Sequence, residues 1–147
     1  MKSVFLFLVL LVSVLAGAED RAAADPGPKK TAEKGGVNVS VIPLNLGAGG
    51  AASIDFQLVM DTHAGALPTD MIAFAKLVGE GGVETPPFAW TGGRGGHHLS
   101  GTLSFPSVVR KEGGSLSLTL KKVDGRNDIH FEWRVPSKSA HNVTGGA

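Results

Sequence analysis

Three observations predict an all-β fold for this chain: short segments in which apolar and polar residues alternate, turn-forming residues between them at nearly regular spacing, and a single apolar face per segment. With a net charge of only +1 and 21 glycines, the 147 residues have the composition of a turn-rich globular protein. No internal repeat is visible.

Residues 1–18 precede the fold. Met1-Lys2-Ser3 is a short, singly charged leader, Val4 to Leu15 is apolar apart from Ser13, and Ala16-Gly17-Ala18 has the small residues that signal peptidase cleaves. The apolar run is well below the ~20 residues that span a bilayer. We therefore expect a signal peptide at 1–18 and an exported protein, periplasmic or extracellular.

The chain has no cysteine. That excludes disulfides, thiolate metal sites and the thioether lipid anchor that the near-match at Leu15-Ala16-Gly17-Ala18 would otherwise suggest, so no stable membrane anchor is expected. Cleavage after Ala18 leaves 129 residues, enough for one domain, and removes Lys2, so 13 basic residues face 13 acidic ones. Charge so balanced gives no long-range attraction for nucleic acid or an anionic membrane. Asn38-Val39-Ser40 and Asn142-Val143-Thr144 are sequons that would carry glycans in a eukaryotic source.

Residues 19–36 lack hydrophobic periodicity and contain Pro26-Gly27-Pro28 and mixed charges, which predicts a disordered linker. A β-sandwich domain is expected over 37–136, followed by a flexible tail at 137–147.

Val37, Val39 and Val41 share a face in a first strand stopped by Pro43. Ile54, Phe56, Leu58 and Met60 then alternate with Asp55, Gln57, Val59 and Asp61, a half-buried strand. Residues 71–78 (M-I-A-F-A-K-L-V) fit either helix or strand, and we expect a strand from about Ala73, after at most a single helical turn. Residues 83–90 read as a strand whose Pro86-Pro87 belongs on a sheet edge. Leu99 to Phe105, Ser115 to Lys121 and Ile129 to Val135 complete seven strands, with Phe105, Phe131 and Trp133 pointing inward.

Seven short strands with one apolar face each are best buried as two antiparallel sheets, a single immunoglobulin-like β-sandwich. A closed barrel is the alternative.

The unusual stretch is Trp90 to Phe105 (W-T-G-G-R-G-G-H-H-L-S-G-T-L-S-F), a strand end, a glycine-loaded turn with two histidines, and a new strand. Gly92-Gly93-Arg94-Gly95-Gly96 lacks the Lys-Ser/Thr of a phosphate-binding loop and leads into a strand, which excludes a nucleotide site. Strand parity sends His98 outward with Ser100 and His97 the other way. Asp61 and His63 leave the second strand on its polar side.

A carboxylate and an imidazole two residues apart, joined by His97 or His98 from the turn, would suit a transition metal. Imidazole without thiolate favours copper(II), zinc or nickel. The candidate metal ligands are thus Asp61, His63, His97 and His98. The competing explanation is that these histidines hydrogen-bond loop groups and Asp61 with Thr62 closes an Asx-type turn. His130 reads as a surface residue and His141 as part of the tail.

No catalytic constellation is complete. Ser100, His98 and Asp61 could be drawn as a triad, but an outward serine within a strand has neither a nucleophile elbow nor an oxyanion donor.

Asp61-Thr62-His63, Trp90, Gly95-Gly96-His97-His98 with Gly101 and Leu103-Ser104-Phe105, and Phe131-Glu132-Trp133 resemble the pattern of an uncharacterised family of small exported prokaryotic domains. The resemblance spans roughly residues 54–135. It departs where the family pattern has a basic residue after the paired histidines and this chain has Leu99. It implies an extracytoplasmic β-sandwich and no particular activity.

The expectation is therefore an exported, non-catalytic β-sandwich binding module whose histidine end holds a metal ion, copper or zinc. The alternative is a structural or protein-interaction module of the cell envelope, its partner another envelope protein, in which the histidines only pin loops.

Overall fold

The computed structural model describes residues 26–137. The expected signal peptide, residues 19–25 of the linker, the tail from 138 onward and His141 lie outside that range. Among the described residues, nine strands form two antiparallel sheets.

The first sheet runs β1 (Lys30–Lys34), β2 (Val37–Pro43), β3 (Ser53–Thr62), β7 (His98–Pro106), β6 (Ala89–Trp90). The second runs β5 (Glu84–Thr85), β4 (Ala75–Val78), β8 (Ser115–Leu120), β9 (Ile129–Arg134). From β2 onward this is the immunoglobulin order, β2-β3-β7-β6 standing as A-B-E-D and β5-β4-β8-β9 as C′-C-F-G. The expected sandwich is present and the barrel is not.

The apolar faces meet as the alternation predicts. Ile54, Phe56, Leu58 and Met60 on β3 are fully buried and face the second sheet, whose Leu116, Leu118 and Leu120 are equally buried. Phe56 is the hub, meeting Phe105 edge to face at 5.8 Å and Trp133 at 5.3 Å between ring centroids. Such pairs add about 0.5–1.5 kcal/mol to the burial of the rings themselves.

Two local expectations change, for the linker and for residues 83–90, and the single turn followed by a strand expected over 71–78 is present, with the strand starting two residues later. The linker does not reach residue 36, because Lys30–Lys34 is an edge strand paired with β2, from Lys30↔Val41 to Lys34↔Val37. Gly35 and Gly36, at φ +58° and +80°, make the two-residue turn between them, a backbone that glycine tolerates and other residues resist. Little apolar surface holds β1, since only Ala32 packs on the core. Its lysines do the rest. Lys30 Nζ donates to the Glu132 carbonyl and Lys34 Nζ to the Asp128 carbonyl at 3.1 Å, both on the edge at β9. Trp133 Nε1 reaches back to the Pro28 carbonyl at 2.8 Å.

Residues 71–78 divide rather than choose. Asp70 caps a single turn, α1 (Met71–Phe74), by accepting from the Ile72 and Ala73 amides, and β4 starts at Ala75. Residues 83–90 divide as well. Pro86 and Pro87 have no N–H to give a ladder, and the chain crosses there from β5 in one sheet to β6 in the other. No helix among the described residues is long and apolar enough to cross a membrane.

Candidate functional site

The histidine turn lies where β3 ends and β7 begins. These two strands are direct neighbours, in a register that sets Asp61 opposite His98. The same row continues through Asn38 on β2 to Glu33 on β1. A carboxylate, an amide, a second carboxylate and an imidazole therefore line up across four strands on the outer face of the sheet.

His98 Nδ1 and Asp61 Oδ1 are hydrogen-bonded, and their side chains remain 63% and 49% exposed. Solvent screens a pair this open, so it orients the imidazole more than it stabilises the fold. Beside it, Thr31, Glu33, Asn38, Ser40, Val59 and Asp61 border an open depression of about 380 Å³.

Backbone bonds close the loop end. The Thr62 N–H donates to the His97 carbonyl, Leu67 N–H to Gly96, and Gly95 N–H to Pro68, each at 2.9 Å. Thr62 is buried, and its hydroxyl donates to the Ala64 carbonyl at 2.7 Å and accepts the Ala64 N–H at 3.1 Å. The 63–70 loop and the 91–97 turn are thus laid side by side. Gly95 and Gly96, at φ +60° and +78°, supply the left-handed backbone that this return needs. Trp90 folds over the turn, with Nε1 donating to the Gly93 carbonyl at 2.9 Å.

Of the four candidate metal ligands, the structure brings together Asp61 and His98. His63 and His97 are exposed. The described residues hold no group of three or more His, Cys, Asp or Glu side chains placed to hold a metal ion. His97 contributes its carbonyl to the loop closure rather than its ring. Among the described residues Ser100 has no hydrogen bond to His98, so the triad that could be drawn on the sequence is not assembled. His130, expected on the surface, is exposed there, and its Nδ1 meets the Thr119 hydroxyl at 2.9 Å.

Glu33 and Asn38 are the members of this row that the sequence did not flag. Glu33 fell within the expected linker, and a polar residue on an outer strand face gives no sign of its cross-strand neighbours.

A second depression, of about 640 Å³, opens between α1 and β6, with Ile72, Phe88, Trp90 and Arg94 among its lining. No family model, curated protein or solved structure matches this chain.

Proposed function

We propose that the protein is an exported, non-catalytic interaction module of the cell envelope, with its histidine turn serving as a structural closure. The observation that carries this is the way the His98 ring and the backbone of the turn are bonded within the protein. His98 is engaged by Asp61, and three backbone hydrogen bonds join the two loops. An imidazole held by a carboxylate, with no third ligand nearby among the described residues, pins a loop end, whereas a transition-metal site requires several converging donors. Export is supported by the leader at residues 1–18, and the resemblance noted from Asp61-Thr62-His63 and Gly95-Gly96-His97-His98 agrees with that compartment.

Titration of the purified mature protein with copper(II) and with zinc by calorimetry, beside a His97→Ala/His98→Ala variant, tests the assignment. Equal heats for the two proteins are expected. A saturable heat that the double variant lacks would return the turn to metal binding and overturn the module.

A further inference from the structure

The two sides of the sandwich differ in kind. On one side the edges at β1 and β9 are joined by Lys30 and Lys34, which donate to the carbonyls of Glu132 on β9 and Asp128 just before it, and the surface between the sheets is closed by charged side chains. On the other side the edges are β5 and β6, two residues each. Of the large apolar side chains exposed among the described residues, Ile72 at 37% on α1 and Phe88 at 61% in the β5–β6 crossing border one depression, while Val83 at 70%, just before β5, borders another. Apolar groups gathered on one side of a small domain mark a contact surface more often than isolated ones do.

The depression between α1 and β6 lies on this side, and its volume of about 640 Å³ falls within the roughly 300–1,000 Å³ span of ligand clefts. It carries two charged residues, and they are not equivalent. Asp70 already accepts from the Ile72 and Ala73 amides, at 3.0 and 3.2 Å. Arg94 has no hydrogen bond or ion pair among the described residues. Arg94 is therefore the charged side chain of the groove with no partner among the described residues, a donor-only cation on a lining it shares with Ile72, Phe88 and Trp90.

We propose that this groove docks an extended segment of a partner protein, which seats a bulky apolar side chain against Ile72 and Phe88 and a carboxylate on Arg94. The argument for that occupant is charge complementarity to Arg94 together with the free edge at β6, along which an extended backbone can lie. The inference rests on the interaction-module reading and gives that module its partner's chemistry.

The test is selection of a random seven-residue peptide library, displayed on phage, against the immobilised mature protein. The best selected peptide is then made synthetically with a fluorophore, and its binding to the parent, Phe88→Ser and Arg94→Glu proteins is read by anisotropy. Selected sequences should pair a bulky apolar residue with aspartate or glutamate. Affinity should fall about tenfold or more in each variant, as expected for an aromatic or arginine anchor.

Both side chains are exposed, so thermal transitions matching the parent are expected, and Ile72→Ser repeats the test from the other wall. No enrichment over bare support, selection of basic sequences, or affinity unchanged by the substitutions would each overturn the proposal. So would self-association of the parent that Phe88→Ser abolishes, since that would give the groove to a second copy. These failures leave the calorimetric result untouched, whereas a metal heat lost with His97 and His98 would retire the module itself.

Discussion

Gly101 on β7 and Gly92 in the preceding turn lie backbone against backbone. A Cβ on Gly101 would fall 2.5 Å from the Gly92 nitrogen and 2.9 Å from the Trp90 ring. One on Gly92 would meet the indole at 2.2 Å and the Ser100 carbonyl at 2.5 Å. The tryptophan can fold onto the turn only because both positions lack a side chain. Gly101→Ala should therefore cost roughly 1–3 kcal/mol through overpacking against backbone that cannot yield. Guanidinium unfolding measures the loss, and a variant as stable as the parent would remove the close approach as a constraint.

The lysine clasp gives a more local expectation. Lys30 and Lys34 are four residues apart on one face of β1, and the carbonyls they reach are four apart as well, Glu132 on β9 and Asp128 just before it. Replacing both lysines by methionine keeps the stems and removes the donors. The sites are exposed, so the global loss should be about 1 kcal/mol. Amide exchange should quicken in β1 while the buried β3 and β7 stay protected. Uniform quickening would show that the clasp is not a local device.

Arg110 holds the 45–53 loop from its far side. Nη1 donates to the Ala48 carbonyl at 2.6 Å, and Nη2 to the carbonyls of Asn45 at 2.9 Å and Ser53 at 3.3 Å, while the buried Nε has no partner among the described residues. Burial pulls the guanidinium below its ordinary pKa, and the Asp55 carboxylate pulls the other way. Three carbonyls served by one planar fork cannot be matched by an ammonium. Arg110→Lys should lose roughly 1–3 kcal/mol in thermal or chemical unfolding, with little recovery over Arg110→Ala.

Asp124 makes stability depend on acid. Its carboxylate accepts from the Asn127 backbone N–H at 2.6 Å, the Asn127 side chain at 2.8 Å and the Arg126 N–H at 2.9 Å, which lowers its pKa to about 2. A carboxyl depressed on folding stabilises the folded state above its unfolded pKa of about 3.9. That contribution disappears as pH falls through about 2. Asp124→Asn should be the less stable protein at neutral pH, and the gap should close below about pH 4 as the wild-type carboxyl protonates. Denaturation midpoints across pH 2–7 test the sign, and a gap that widens in acid would contradict it.

Side-chain direction was legible wherever burial enforced a period of two. Ile54 through Met60 and Ile129 through Trp133 are buried as alternation requires, and His98 lies on the outer face with Ser100. β1 was not legible, because lysine donors and backbone pairing hold it and neither produces an apolar pattern. The division at Pro86-Pro87 was also hidden, since proline marks an edge without saying which sheet it borders. Asp61 and His98 could be named as candidates, but their contact depends on β3 and β7 being neighbours in one particular register.

By itself the sequence determined the class of structure: which faces turn inward, where strands stop, and that no thiol chemistry is available. Those properties follow from the local period of side-chain direction and from residue chemistry, which act within a few residues of chain. Tertiary structure alone decided that Asp61 meets His98 while His63 and His97 complete no cluster of three ligands among the described residues, that Lys30 and Lys34 close one side of the sandwich, and that Phe88 and Arg94 border an open groove on the other. These are contacts between segments distant in sequence, fixed by strand order and register, and a one-residue slip of a strand would change every one it makes.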